Sequence, residues 1–513
     1  MNNLFWFVII YWVISVGIGL YAARYVHNSS DYANAGRSLP LYVVTATVFA
    51  TWFGSETVLG IPAVFLKDGL GGVVADPFGA SLCLILVGLF FARPLYRMNL
   101  LTIGDFYRNK YGRIVEVLTS LAIVISYLGW VGAQFSALGL VFNVVSGGAI
   151  SETLGKIIGA STVMIYTIYG GMWAVAITDF IQMIVIVAGM LYIGAEVGGQ
   201  AGGVGYVVQH AIDAGKFTNF WPGMNWIGLL GFFGALITLM LGSIPQQDVF
   251  QRVASAKNEK TAGRASVLGG VMYFCFAFIP MFLAYAATLI DPQMVAPLLA
   301  SDEKRAAQQI LPNLVLNHAP FIAQVMFFGA LLSAIKSCAS ATLLAPSVTF
   351  AENILKPAFK NVTDKNLLKT MRIVVFCFTI LVTLYSIGSN LPIYSMVENA
   401  YKITLVVAFV PLVFGLYWKR ANTQGAMLAI GLGLVSWIGM ETTNPDAPLP
   451  PQLLGLAMSL LGMVVGSLMP AMGQVREIEV VAERVLSGAE AGATKQSRSA
   501  SSAASLSGDG GKQ

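Results

Sequence analysis

The sequence has few charged residues for its length, and this scarcity excludes most soluble folds. Only 11% of the 513 residues are Asp, Glu, Lys or Arg, whereas 56% are hydrophobic and the mean hydropathy is +0.73. Soluble domains carry roughly 25% charged residues. Apolar stretches of about 20 residues, enough to cross a bilayer as a helix, recur from Leu4 to Pro470. Backbone groups in lipid must be satisfied within their own segment, and the alternating strands of a barrel are absent. We therefore expect an all-α integral membrane protein.

Cysteine and histidine are also scarce, which argues against disulfide or metal centres. The four cysteines, Cys83, Cys275, Cys338 and Cys377, all lie inside apolar segments, so neither a disulfide framework nor a thiolate metal site is expected. HExxH and GxSxG motifs are missing as well, so an intramembrane enzyme is disfavoured. No cofactor is expected, and loop charge accounts for the basic pI without a nucleic-acid partner.

About thirteen transmembrane helices are predicted. The first apolar run has no basic residue before it and no small-residue cleavage site after it, so we expect a span rather than a signal peptide. Residues 473–513 are polar and end in a Ser, Ala and Gly-rich stretch, which predicts a disordered cytoplasmic tail. The predicted spans are residues 4–23, 41–66, 72–92, 114–146, 153–171, 173–197, 224–243, 266–290, 319–352, 368–388, 392–417, 424–441 and 451–470.

The distribution of basic residues predicts the orientation of the chain. Loops after odd-numbered spans are rich in Lys and Arg, as at Arg108, Lys110 and Arg113, and the opposite loops hold fewer. Basic loops stay in the cytoplasm. The N-terminus is therefore expected outside and the C-terminus inside a cell (inner) membrane.

The second predicted span contains features that weaken a membrane helix. Gly54 and Gly60 favour other conformations, Pro62 lacks a backbone donor, and Glu56 is a charge within the apolar run. A helix opened here exposes carbonyls that can coordinate a hard cation such as Na+. The alternative is a simple kink.

The ninth span offers a partner for this break. Ala334, Ser337 and Cys338 are spaced i, i+3, i+4 and share one helical face. Their oxygen atoms could complete a cation site, or the small residues could simply allow close helix packing.

Several motifs, in order along the chain, match one known family. They include TIGDFYRNKYG at residues 102–112, WVGAQFSALG at 130–139, PQQDVFQR at 245–252 and PLVFGLYWKRANTQG at 411–425. Over residues 31–426 the sequence resembles the sodium:solute symporters. Stretches such as GLFFARP at 88–94 look most like the high-affinity choline transporter branch.

The resemblance implies a leucine-transporter-like fold with an inverted five-helix repeat. The repeats would occupy residues 31–200 and 201–420, with an extra span in 1–30 and two spans in 421–472. It also implies secondary active symport of a small organic solute by alternating access, coupled to a cation, with Na+ as the favoured ion. The alternatives are proton-coupled or sodium-independent transport, and a transporter-like sensor. The oligomeric state is left open, and the solute and the lipid bilayer are the expected partners.

Carried over residue by residue, the resemblance implies a sodium site. Its ligands would be the carbonyls of Ala50, Phe53 and Ala334, the Ser337 hydroxyl, and Cys338, where the family usually has Ser or Thr. A thiol is a poor ligand for a hard ion.

Lys336 is a second departure from the family, whose members usually carry an apolar residue there. On an ideal helix it lies about 200° from Ala334, so it need not point into the ion site. A lysine charge can also replace a bound cation. These departures keep both Na+ and H+ as possible coupling ions.

The remaining site residues combine the resemblance with intramembrane charge. Aromatic faces bind ammonium groups, and Trp52, Trp130 and Tyr394 align with aromatic positions of the choline branch. Glu56 is interpreted as a counter-charge to a cationic substrate or a proton carrier, or alternatively as an ion-pair partner of Lys336. We therefore expect a small zwitterionic or cationic solute. The predicted substrate-binding residues are Trp52, Gly54, Glu56, Trp130, Gln134, Gln246 (where the choline branch has Trp) and Tyr394, and the predicted coupling residues are Asp179 and Lys336.

Overall fold

The computed structural model describes residues 3–223, 225–359, 362–445 and 447–470. Within these ranges the chain is helical, and the only β pairing is an isolated bridge between Leu39 and Ala256. The predicted disordered tail, residues 473–513, lies outside the described residues.

The helices are numbered in chain order. The α-helices are α1 (Asn3–Ala22), α2 (Ser29–Asn34), α3 (Leu41–Trp52), α4 (Ile61–Asp68), α5 (Ala80–Leu86), α6 (Ala92–Arg97), α7 (Ile103–Tyr111), α8 (Arg113–Val145), α9 (Glu152–Gln200), α10 (Val204–Asp213), α11 (Trp226–Gly242), α12 (Gln247–Ser255), α13 (Glu259–Ile290), α14 (Pro292–Ala300), α15 (Ile310–His318), α16 (Phe321–Thr349), α17 (Asp364–Gly388), α18 (Ile393–Thr404), α19 (Val410–Tyr417), α20 (Thr423–Thr443) and α21 (Pro451–Leu468). Turns of π-helix occupy Glu56–Gly60, Val74–Gly79, Val87–Phe91, Phe350–Leu355 and Leu405–Phe409.

The described helices agree with the predicted spans. Ten are long and apolar enough to cross a membrane, and the number is twelve if each of two bent helix pairs is one span. Helix α9 has 49 residues, about 74 Å at 1.5 Å per residue, more than twice the hydrocarbon thickness. The twelve spans become thirteen if α9 is counted as two.

Gly171 divides α9 at the boundary that the sequence predicted. Its φ of 48° and ψ of −140° are not helical. A Cβ there would lie 2.5 Å from the carbonyl oxygen of Tyr32. Glycine is therefore required both for the backbone conformation and for the close approach of the Tyr32 segment.

Two spans are bent where the sequence interrupts the helix. Helices α3 and α4 meet at 49° and α11 and α12 at 46°. Gly54 lies in the first break, and Pro62 follows at the start of α4, directly after the π-helical turn. Pro245 lies in the second break.

The buried interior is built from long helices that surround the two breaks. Helix α16 packs against α8 and α9, α18 packs against α8, and α13 packs against α3. Helix α1 lies outside this group, against α9 and α16. Large apolar side chains on the outer surface, such as Ile10, Leu384 and Val435, are exposed in the isolated chain and would face lipid.

The motif at 102–112 forms a buried polar junction. Thr102 and Asp105 make a capping box at the start of α7. The Asn353 amide donates to Asp105 Oδ1 at 3.0 Å and to Glu116 Oε1 at 2.8 Å, and Arg113 Nη1 lies 2.7 Å from Glu116 Oε2. One asparagine thus joins α7 and α8 to the end of the ninth span.

Candidate functional site

The Glu56 carboxylate lies at the break of the second span and is held by two donors from α8. Trp130 Nε1 donates to Oε1 at 3.0 Å, and Gln134 Nε2 donates to Oε2 at 2.7 Å. The Gln134 carbonyl oxygen accepts the backbone N–H of Ser55 at 3.0 Å. Gln134 therefore satisfies an N–H that the broken helix leaves unpaired and also orients the carboxylate.

Three aromatic rings meet beside this carboxylate, and we call Trp52, Trp130 and Tyr401 the ring cluster. Their centroids are 5.6 Å apart for Trp52–Trp130, 5.5 Å for Trp130–Tyr401 and 6.3 Å for Trp52–Tyr401. Tyr127 stacks on Trp130 at 5.9 Å. The cluster and Glu56 are buried, so the site is closed in this structure.

Tyr394 does not join the ring cluster. It packs against Gly60, and its hydroxyl lies 3.4 Å from the carbonyl oxygen of Gly72. Tyr401 lies seven residues later on the same face of α18, about two helical turns away. Sequence reasoning missed Tyr401, although the spacing of two tyrosines by one heptad was a usable signal.

Gln246 lies at the second break, at the edge of the same site. Its amide nitrogen is 2.9 Å from Ser126 Oγ and 3.4 Å from Thr404 Oγ1. Ser126 precedes Trp130 by one helical turn, and Thr404 follows Tyr401 by nearly one turn. The structure thus brings Gln246 next to the ring cluster through polar contacts, without a ring of its own.

Gly54 lies between Glu56 and Cys338, so the break and the ninth span meet as the sequence suggested. A Cβ on Gly54 would lie 2.6 Å from Glu56 Oε2 and 2.9 Å from Cys338 Sγ. Helix α3 ends at Trp52, so Ala50 lies in its last turn and Phe53, which has non-helical ψ, follows it. Carbonyls in this last turn have no intrahelical partner.

The predicted ligand Ser337 is paired with the predicted coupling residue Asp179. Ser337 Oγ donates to Asp179 Oδ1 at 2.6 Å, and Thr51 Oγ1 lies 3.5 Å from Asp179 Oδ2. Arg252 Nη2 donates to Thr51 Oγ1 at 2.8 Å. The buried carboxyl group of Asp179 is therefore held between Thr51 of α3 and Ser337 of α16.

Lys336 points away from this site, towards α1. The ammonium group donates to Ser15 Oγ and lies 4.4 Å from the Trp12 ring centroid and 5.6 Å from that of Tyr166. The suggested ion pair with Glu56 is therefore wrong, because the two side chains leave their helices in different directions. Among the described residues, Lys336 has no carboxylate within 4.0 Å.

Two buried carboxylates near the breaks were not singled out from the sequence. Asp248, in the first turn of α12, contacts the Tyr127 hydroxyl. Asp76 lies 2.5 Å from the Tyr273 hydroxyl, which is 3.0 Å from Thr57 Oγ1. Over the described ranges neither has a Lys or Arg nitrogen within 4.0 Å.

Comparison with known proteins identifies the family of this chain. The family model of the sodium:solute symporter family matches residues 32–433. The chain belongs to the sodium:solute symporter family. It is therefore a Na+-coupled solute symporter, a multi-pass membrane protein and not an enzyme, as the sequence motifs predicted.

Named relatives and a solved structure are consistent with this assignment. The symporter is 28% identical to the high affinity choline transporter 1 of Homo sapiens over 83% of this chain and 75% of that protein. It is 28% identical to the sodium/pantothenate symporter of Haemophilus influenzae over 85% of this chain and 90% of that protein. A Na+-coupled sialic acid symporter has the same fold, with a TM-score of 0.75 and 20% identity over 91% of this chain and 98% of that chain. The leucine-transporter-like fold is thereby confirmed.

Proposed function

We propose that this symporter carries a small solute with an ammonium group, bound between the ring cluster and Glu56. The observation that supports this most directly is the charge of the site. Glu56 is buried, and within the described part of the chain no Lys or Arg nitrogen lies within 4.0 Å of it. Burying an unpaired carboxylate costs several kcal/mol, and a bound cation would offset that cost.

The rings favour the same ligand chemistry. An ammonium group over the face of Trp or Tyr gains about 0.5–2 kcal/mol per contact, depending on desolvation. A sugar would find few free polar partners here, because the Trp130 N–H and the Gln134 amide are already bonded to Glu56. A carboxylate substrate would meet like charge. The named choline transporters among the relatives support an ammonium ligand independently.

We propose that the coupling Na+ binds between the end of α3 and α16. Its ligands would be the carbonyls of Ala50, Phe53 and Ala334 and the hydroxyl of Ser337. Asp179, hydrogen-bonded to Ser337, adds the negative charge that a soft thiol at Cys338 does not supply.

The division into repeats and the orientation in the membrane are also proposals. The second and seventh spans are the first spans of residues 31–200 and 201–420, and both are broken. This likeness supports two inverted five-helix units, flanked by residues 1–30 and 421–472. Basic loops after odd-numbered spans support an external N-terminus and a cytoplasmic C-terminus in the cell (inner) membrane.

Uptake into proteoliposomes with imposed ion gradients tests the proposed function. The purified symporter is assayed with choline, betaine, an amino acid, a sugar and a carboxylate, each with an inward Na+ gradient and without one. Na+-driven uptake of an ammonium solute, inhibited by the other ammonium compounds, is the expected result. Na+-driven uptake of the sugar or the carboxylate, unaffected by Glu56→Gln, would show that the site has another ligand.

A further inference from the structure

Asp76 is a buried acid that the proposed function does not use. It lies in the third span, in the π-helical turn Val74–Gly79, and is 3% exposed. Its carboxyl Oδ1 is 2.5 Å from the Tyr273 hydroxyl on α13. A hydroxyl of Thr57, the residue after Glu56, lies 3.0 Å from the same Tyr273 oxygen and 3.2 Å from the carbonyl oxygen of Trp52.

These contacts form a chain that runs from Asp76 through Tyr273 and Thr57 to the Trp52 carbonyl, and we call it the hydroxyl chain. It contains three hydrogen bonds, whereas each of its two hydroxyls has one hydrogen to donate. The Trp52 carbonyl can only accept, so Thr57 donates to it. Tyr273 then donates to Thr57, and the third hydrogen, between Tyr273 and Asp76, must be carried by the carboxyl group.

Ionisation of Asp76 would break the hydroxyl chain at the Trp52 carbonyl. A carboxylate only accepts, so Tyr273 would turn its hydrogen to Asp76 and Thr57 would turn to Tyr273. The Trp52 carbonyl would then lose its side-chain donor. We propose that Asp76 is a proton-binding site, protonated in this closed state, and that the hydroxyl chain transmits its protonation to the break in the second span.

The surroundings of Asp76 favour the neutral acid. The titratable groups that face it are Tyr273, Tyr394 of α18 and Glu56, and none of them is a cation. Helix α11, which packs against residues 74–79, carries no titratable side chain. Burial of a charge without a partner is costly, whereas the protonated acid is satisfied by Tyr273.

A polar cavity lies near Asp76 in sequence, at the loop between α4 and residue 74. Gly72 lines a polar cavity of about 500 Å³ together with Lys67 and Lys216. Gly72 is four residues from Asp76 and contacts the Tyr394 hydroxyl. A proton taken from water in this cavity forms the O–H bond of the Asp76 carboxyl, and its return to water breaks that bond, with no change in oxidation state.

This site would make the symporter sensitive to pH at its own substrate site. Trp52 contributes both a ring to the ring cluster and the carbonyl that ends the hydroxyl chain. That consequence rests on the proposed function, but the proton on Asp76 does not. The two ideas can therefore fail separately.

Infrared spectroscopy of the purified symporter in lipid tests the protonation directly, without solute or Na+. The carbonyl stretch of a protonated carboxylic acid is separate from that of a carboxylate. We expect that Asp76→Asn removes one component of this band at neutral pH and that Glu56→Gln and Asp248→Asn retain that component. An Asp76→Asn spectrum identical to that of the wild type in this region, or no such band in the wild type at neutral and acid pH, would overturn the proposal.

Thermal unfolding at several pH values tests the protonation of Asp76 even in variants that no longer transport. The amide of Asp76→Asn donates to Tyr273 as the protonated acid does. The unfolding temperature of this variant should therefore equal that of the wild type at acid pH, and it should not fall at alkaline pH. Tyr273→Phe and Thr57→Val interrupt the chain and should lower the unfolding temperature at acid pH, whereas the buried Asp76 should still lower it further at alkaline pH. An alkaline decline in Asp76→Asn equal to that of the wild type would contradict the assignment.

Discussion

The indole nitrogen of Trp130 lies 3.0 Å from the carboxylate of Glu56, so a ring and a carboxyl group are fixed to each other in the buried interior. The hydrogen bond uses the edge of the indole, Tyr127 stacks on the indole face, and Trp52 and Tyr401 meet the indole at interplanar angles of 71° and 61°. An ammonium group can meet the carboxylate and the ring cluster at once, because α8, α18 and the broken second span hold them next to each other.

Replacing Glu56 with Gln should weaken solute binding. The amide keeps the shape and the acceptor for Trp130, but it removes the charge and turns its NH2 group towards the Gln134 amide that donates to Oε2 in the wild type. A hydrogen bond to a charged group is worth about 1.5–3 kcal/mol, or roughly 10- to 150-fold in affinity. Equilibrium binding of the transported ammonium solute measures this. Asp105→Asn, far from the ring cluster at the start of α7, provides the matched control for loss of a buried carboxylate. Equal affinity in Glu56→Gln and wild type would remove Glu56 from the site.

Tyr401 should matter more for solute binding than Tyr394. Tyr401→Leu removes one ring of the cluster, and we expect about a 3- to 30-fold loss of affinity from one cation–π contact. Tyr394→Leu removes a ring that packs on Gly60 instead, so its effect should appear in transport rate or stability. Binding isotherms for the two variants decide between them, and a larger affinity loss in Tyr394→Leu would restore the residue that the sequence favoured.

The spans could be predicted from sequence because the bilayer imposes a length and a composition on each helix. The break in the second span could be predicted because Gly54, Gly60 and Pro62 oppose a continuous helix. The pairing of Asp76 with Tyr273 could not, since 197 residues separate them and no local pattern connects the two. Which tyrosine of α18 reaches the ring cluster could not be predicted either. Periodicity places Tyr394 and Tyr401 on one face, and only the packing of α18 against α8 brings Tyr401 to the cluster.

Substitutions of Ser337 and Cys338 should change the affinity for Na+ in opposite directions. Ser337→Ala removes a hydroxyl ligand and the partner of Asp179, so the half-saturating Na+ concentration should rise by about tenfold, the effect of one hydrogen bond or ligand of roughly 1.4 kcal/mol. Cys338→Ser replaces a soft ligand with a hard one and should lower it. Ser347→Ala, also buried in α16 but bonded to the Leu343 carbonyl, is the matched control. Na+ titration of uptake measures all three, and no change in either site variant would place the ion elsewhere.

Asn353 should be critical for stability, independently of transport. Asn353→Leu leaves the buried carboxylates of Asp105 and Glu116 without a shared donor, at a cost of about 2–3 kcal/mol or more. Thermal unfolding in detergent should show a clear decrease. The exposed Asn366→Leu is the control, and equal unfolding temperatures of the two variants would contradict the role of the junction.

Lys336→Met should leave Na+ dependence unchanged and should not destabilise the protein. The lysine ammonium faces Trp12, Ser15 and Tyr166, about 100° around α16 from Ser337, which contacts Asp179. Replacing a buried charge with an apolar side chain of similar volume is often neutral or stabilising, and Ser15 keeps its bond to the Trp12 carbonyl. Unfolding temperature and Na+ titration of uptake are measured on the same preparation, with Trp12→Leu as the variant that leaves the ammonium without its nearest ring and should be less stable. A tenfold shift of half-saturating Na+ in Lys336→Met would mean that the lysine charge acts on the ion site through α16, despite the direction of its side chain.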